Sequence, residues 1–82
     1  MPDEIPEVVV PRHMLTDGGI DPVGMIVQLA FERSRSEARR LILEKGFRVN
    51  GETVDDMRKL LVIKDGDIAQ RGRRKFVRIR LE

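Results

Sequence analysis

Cysteine, tryptophan and tyrosine are absent from this 82-residue chain, and histidine occurs once. No disulfide can form, and no thiol is available as a nucleophile or soft metal ligand. His13 has no second histidine or cysteine to complete a metal site, so it reads as a surface residue. No nucleophile–base pair is present from which a triad could be built. No apolar run approaches the roughly 20 residues of a membrane span. The N-terminus, Met-Pro-Asp-Glu, is not a secretory signal. A chain without cysteine fits a reducing compartment. The expectation is a soluble, cytosolic protein with no membrane contact and no cofactor.

Other catalytic constellations are missing too. Asp55-Asp56 and Asp65-Gly66-Asp67 are carboxylate pairs, but both fall at expected turns and lack the spacing of a calcium loop. Capping is their ordinary role. Gly18-Gly19 lacks the spaced glycines and lysine of a phosphate loop. The chain is not expected to be an enzyme by itself.

Positive charge is scarce early and abundant late. Residues 1–32 hold one basic side chain, Arg12, against six acidic ones, a net −5; residues 33–82 hold 15 basic and 8 acidic, a net +7. A cationic C-terminal part calls for a polyanionic partner, nucleic acid being the commonest. A membrane surface is disfavoured, because the basic residues lie on mixed short elements rather than one amphipathic helix.

Residues 1–20 are punctuated by Pro2, Pro6 and Pro11, with Val8-Val9-Val10 their only apolar run. Each proline pushes its predecessor toward extended geometry. An extended linker is expected here, its valines lying against the domain, with a flexible Thr16-Asp17-Gly18-Gly19. Asp21-Pro22 then opens a helix, aspartate at the N-cap and proline at the first helical position. Val23, Ile26, Leu29 and Ala30 form its core face, widened by Met25, Val27 and Phe31. Gly24 costs helix stability, on the order of 1 kcal/mol against alanine, and would let a neighbour approach closely.

The second helix starts at Ser34, with Glu37 completing a capping box. Ala38, Leu41, Ile42 and the stem of Lys45 share one face. Arg40 lies within reach of Glu37 and Glu44, whereas Arg35 and Arg39 have no local carboxylate. Two unpaired guanidinium groups near a helix start, beside the hydroxyls of Ser34 and Ser36, suit phosphate. The bland alternative is a solvated helix face. Gly46 is expected to stop the helix.

From Phe47 the period becomes two. Phe47 and Val49 point one way, Arg48 and Asn50 the other. Asn50-Gly51 marks a hairpin, Thr53 and Val54 the return strand. Residues 57–61 read equally as a helical turn or a loop. Leu60 to Ile63 is expected to be buried. A turn at Lys64 to Asp67, a strand from Ile68 to Arg71 and a turn at Gly72-Arg73-Arg74 follow. The last strand, Lys75 to Leu81, turns Val77, Ile79 and Leu81 to one face and Phe76, Arg78 and Arg80 to the other. That second face is open to two readings: a stacking and clamping surface for nucleic acid, or an edge guarded by charge. The plan is α+β: two short helices packed on a small, mostly antiparallel sheet over 21–82, preceded by the linker over 1–20.

Ser34, Ser36, Ala38, Arg39, Gly46, Val49, Asn50 and Gly51 resemble the αL RNA-binding motif, named after the fourth protein of the small ribosomal subunit. Ser34 to Ile42 and Gly72 to Arg78 more closely resemble the C-terminal domain of bacterial tyrosyl-tRNA synthetases, and Pro2 to Val8 resembles the linker leading into it. One departure is Ala30, where that family often places glycine. The resemblance implies a tRNA-binding domain that docks the long variable arm and adjoining stem of tyrosine tRNA. It also implies an excised fragment beginning at an added Met1, monomeric, from a homodimeric parent. Tyrosine activation and ATP binding would reside in another domain, whose His-Ile-Gly-His and Lys-Met-Ser-Lys-Ser motifs are absent here. The RNA-facing set expected on this basis is Ser34, Arg35, Ser36, Arg39, Arg48, Asn50, Arg73, Arg74, Lys75 and Arg78. Two other readings stand beside it. One is a free-standing ribosome-associated or RNA-modification protein of the αL type. The other is a protein-interaction module docking through Val8–Val10 and the first helix.

Overall fold

The computed structural model describes residues 4–82. Met1 to Asp3, read above as an added start and the lead of the linker, lie outside the described residues. Among the described residues, eight strands and two α-helices follow one another, with a single 3-10 turn at Arg12–Met14. They are β1 (Glu7–Val10), β2 (Leu15–Thr16), β3 (Gly19–Ile20), α1 (Pro22–Gln28), α2 (Arg35–Leu43), β4 (Phe47–Val49), β5 (Glu52–Thr53), β6 (Leu61–Val62), β7 (Ile68–Arg71) and β8 (Lys75–Leu81). Five strands form one sheet in the order β1-β8-β7-β4-β5, and β2-β3-β6 form a small second sheet. Among the described residues only β1 pairs in parallel, with Glu7 opposite Arg78 and Val10 opposite Leu81. The α+β expectation is met.

The core is a single cluster. Val23, Met25 and Ile26 of α1 and Ala38, Leu41 and Ile42 of α2 join Phe47, Ala69, Val77 and Ile79 from the sheet. Phe47 is 0 % exposed and meets Phe31 edge to face, with ring centroids 6.0 Å apart, an arrangement that favours a fixed relative orientation. With that face of the sheet buried, the two-residue period sends Arg48 and Arg80 outward.

Both helix starts form at the expected residues. Asp21 accepts from the amides of Val23 and Gly24 at 3.2 and 3.3 Å, and Ser34 Oγ accepts from the Glu37 amide at 3.2 Å. The helix stops differ from expectation. Gly46 is not the left-handed residue; Lys45 is, at φ 59°. The amides of Gly46 and Lys45 return to the carbonyls of Leu41 and Ile42, closing a Schellman turn. Gly46 matters for a different reason: a Cβ there would sit 2.6 Å from Leu41 Cδ1, so the Leu41 side chain would have to shift. Helix α1 ends early by the same device. Ala30 stands at φ 61°, and the amides of Phe31 and Ala30 bond the carbonyls of Ile26 and Val27. Ala30 is therefore exposed rather than part of the core face.

Residues 7–20, read as a linker, are woven into both sheets, with Val10 and Ile20 buried in the common core. Asp17 and Gly18, both at positive φ, make the two-residue turn of a β2–β3 hairpin. Asp-Gly is a strong signal for that turn. Burial of Val10 and of most of the apolar face of α1 leaves little of the docking surface expected of a protein-interaction module, although Val9 stays 46 % exposed. Leu60 to Ile63 is not uniformly buried: Leu60 is 41 % and Val62 75 % exposed, while Ile63 turns inward. Residues 57–60 form a turn and loop rather than a helix. The Asn50-Gly51 hairpin is present, both residues at positive φ.

A non-glycine residue in the left-handed region costs about 1–2 kcal/mol. Ala30→Gly, at an exposed position, should raise the unfolding free energy by about 1 kcal/mol in a urea titration. Gly46→Ala should lower it by about 1–3 kcal/mol by overpacking Leu41.

Candidate nucleic-acid interface

The Schellman turn of α2 leads straight into β4, and the Gly72 amide bonds the Gly46 carbonyl at 2.8 Å. That bond places the β7–β8 turn beside the end of α2. A shallow groove results, lined by Glu44, Lys45, Gly46, Arg48, Gly72 and Arg73. Three cations from two separate stretches thus meet around one concavity against a single carboxylate. Arg74 continues the same exposed turn. Lys45 was not among the expected RNA-facing residues. Its place on the apolar face of a helical projection concealed it, because the left-handed turn rotates it off the helix.

The expected distribution of ion pairs on α2 holds at Arg39 and is reversed at Arg35 and Arg40. Arg35, thought to be free, donates from Nη2 to Asp21 Oδ2 at 2.8 Å. Gly24 lies beneath that contact, and a Cβ there would stand 3.3 Å from Asp21 Oδ2 and 3.5 Å from Arg35 Nη1. Only Asp21, the N-cap of the same helix, would be crowded, and the Arg35 distance is an ordinary contact, so the approach of α2 does not depend on the glycine. Arg40, thought to be neutralised by Glu37 and Glu44, makes no ion pair among the described residues. Glu37 instead turns back to the Arg33 amide at 3.4 Å, and Glu44 sits at the C-cap, where the chain leaves the helical path. Arg39 is also without an ion pair among the described residues.

The remaining expected residues divide. The Asn50 side chain accepts from the Ile68 amide at 3.0 Å while its own amide donates to the Ile68 carbonyl; it ties the β4–β5 hairpin to β7. Lys75 lies on the helix side of the sheet, its Nζ 5.6 Å from the Phe31 ring centroid. Arg78 points to the other side, opposite Ile68 and Glu7. Ser34 is committed to its cap, and Ser36 is exposed in the first turn of α2. Arg71, also cationic, donates from Nε and Nη2 to Glu32 Oε1 at 3.0 and 2.8 Å. Thirty-nine residues separate that pair, so only the tertiary fold makes it visible.

A larger concavity of about 470 Å3 has the opposite character. Glu52, Asp55, Asp56 and Asp67 line it against one lysine, Lys59. Polyanions are repelled there. Two turn carboxylates are capping groups, as expected: Asp56 accepts from the Arg58 amide and Asp67 from Lys64, whereas Asp65 accepts from the Leu81 amide and ties its turn to β8. Among the described residues no group of three or more His, Cys, Asp or Glu side chains is arranged to hold a metal ion.

Fold and surface together define a small α+β domain with a cationic margin where a helix end meets a hairpin. The S4 domain family profile matches residues 25–65, from within α1 to just before β7. The chain belongs to the S4 domain family. Its relatives include tyrosine–tRNA ligases of Symbiobacterium thermophilum (37% identical over 82 residues, all of this chain and 19% of the ligase) and Methylococcus capsulatus (36% over 81 residues, 99% and 20%). The ligase of Thermotoga maritima is 35% identical over 80 residues, 96% of this chain and 18% of the ligase. The chain thus spans about a fifth of the length of the curated relatives it matches, in their C-terminal region.

Asp21 yields a pH test. Partial burial raises its pKa, but the hydrogen bond from Arg35, the Val23 amide, the Arg35 charge and the Gly24 amide together hold it below the usual aspartate range. A carboxylate depressed by folding stabilises the fold above its unfolded pKa and loses that contribution as pH falls through the folded one. Stability should therefore decline on acidification below about pH 4. Asp21→Asn should flatten part of that decline and cost up to about 1 kcal/mol near neutrality through loss of the Arg35 ion pair, since asparagine caps a helix about as well as aspartate. Urea unfolding across pH 2–7 reads both.

Proposed function

We propose that this domain binds tRNA as part of a cytoplasmic tyrosine–tRNA ligase, docking the long variable arm and adjoining stem of tyrosine tRNA. Kinship with the S4 family and with the ligases supports RNA binding in general. The observation that carries the reading is the gathering of Lys45, Arg48 and Arg73 around the groove between α2 and the β7–β8 turn. Exposed Arg39, Arg40 and Arg74 supply further charge.

Duplex RNA is recognised largely by shape and by its phosphate and ribose groups, so a shallow groove suffices and no deep pocket is needed. In this reading Arg39, Arg40, Lys45, Arg48, Arg73 and Arg74 hold phosphates. Ser36 and Lys75 stand at the margin. Arg35 takes a smaller part, because contact with phosphate requires release of Asp21. Asn50 and Ser34 act by fixing the hairpin and the helix start.

Each phosphate contact contributes about 0.7–0.9 to the slope of log affinity against log salt. In a filter-binding titration with tyrosine tRNA, the double variant Arg48→Ala/Arg73→Ala should weaken binding at least tenfold and reduce that slope by about 1.5. Arg35→Ala should change the slope by less than half as much. Removal of the variable arm from the tRNA should cost the wild-type domain most of its affinity. An unchanged slope in the double variant contradicts the assignment. Equal displacement of tyrosine tRNA by ribosomal RNA favours a ribosome-associated role instead.

A further inference from the structure

The face of the five-stranded sheet turned away from the helices meets the groove at Arg48 and extends beyond it. Cross-strand register places Arg48 opposite Gln70, and Gln70 opposite Phe76. Residues paired across a ladder project to the same side, so these three form a row. The next row holds Ile68, Arg78 and Glu7. The helix-side positions Phe47, Ala69, Val77 and Ile79 are buried, whereas every residue of these two outer rows is exposed or half-buried.

Phe76 is the one aromatic residue on this face. The other two phenylalanines, Phe31 and Phe47, pack on each other in the core. The parallel strand β1 begins beside Arg78, so Phe76 lies beyond its end. Gln70, beside the ring, donates from Nε2 to the Gly72 carbonyl at 2.8 Å; its side chain is thereby held at the turn, with the amide oxygen left as an acceptor. Arg78 stands two residues along the same strand, about 7 Å away, and Arg48 two strands across, about 10 Å away.

We propose that Phe76 is a stacking site for one unpaired nucleobase, with Arg48 and Arg78 holding the flanking phosphates. The inference rests on the RNA-binding reading and adds to it a ligand class and a second surface. A partly exposed aromatic ring between cations is the arrangement by which proteins hold single-stranded nucleic acid. Arg48 lies at the seam, lining the groove on one side and heading the Phe76 row on the other. A strand leaving a duplex docked in the groove would pass directly onto the sheet. The amide oxygen of Gln70 is placed to accept from an exocyclic amino group at the edge of the stacked base.

The chain has no tryptophan or tyrosine, so Phe76→Trp introduces a single fluorophore at the site. Two probes are used: an RNA hairpin with a stretch of unpaired adenosines, and a fully paired duplex of equal length. Titration with the hairpin should quench the tryptophan at least twofold, and the duplex should leave it bright. Phe76→Leu should weaken hairpin binding by about 5- to 100-fold, the worth of one stacked base, with less than twofold effect on the duplex. Phe76→Tyr should bind as the wild type does, which separates loss of stacking from loss of fold. Bound hairpin with unquenched tryptophan, or equal affinity of the Leu variant and wild type, overturns the stacking site and leaves the groove reading intact. Failure of the wild-type domain to bind either RNA overturns both.

Discussion

One burial constraint orders this molecule. Phe47 must be enclosed between Phe31 and the helices, and Ala69, Val77 and Ile79 must share that enclosure. Because side chains alternate along a strand, fixing those four on one side fixes their neighbours on the other. Arg48, Gln70, Phe76 and Arg78 stand outward as a consequence of core packing. A register slip of one residue would bury arginines and expose the core, at a cost no small domain could bear. The cationic surface is therefore held in place by apolar contacts on the far side of the same strands.

A second constraint joins the sheet to α2. Gly46 brings the chain within van der Waals distance of Leu41, and its carbonyl receives the Gly72 amide. Both local stretches rich in positive charge, the end of α2 and the β7–β8 turn, are thereby locked side by side. Mutual repulsion of Lys45, Arg48 and Arg73 opposes that closure and is screened only partly at physiological salt. The acidic concavity around Asp55 and Asp56 lies elsewhere on the surface, so a polyanion is offered one attractive margin and turned away from another.

Elements defined by local chemistry were legible in the sequence. Ser34 and Asp21 announced the two helix starts, Asn50-Gly51 its hairpin, and the alternation of Lys75 to Leu81 the last strand with its buried and open faces. What escaped was of two kinds. The first was backbone geometry adopted against residue preference: Ala30 and Lys45 take left-handed positions where glycine would be expected, so α1 stops short and Lys45 turns toward the groove. The second was nonlocal pairing. β1 joins β8 from the opposite end of the chain, and neither the Asp21–Arg35 nor the Glu32–Arg71 pair follows from sequence neighbours. The ion pairs expected within α2 failed for a related reason, since Glu37 and Glu44 stand at the ends of the helix and were drawn into its termini.

The most direct test of the account is an amide chemical-shift map of the domain titrated with tyrosine tRNA. The account predicts the largest changes along α2 from Arg39, through Lys45 to Arg48, and from Gln70 to Arg78. Changes concentrated at Glu52 to Leu60, around the acidic concavity, or scattered evenly over both sheets would contradict it.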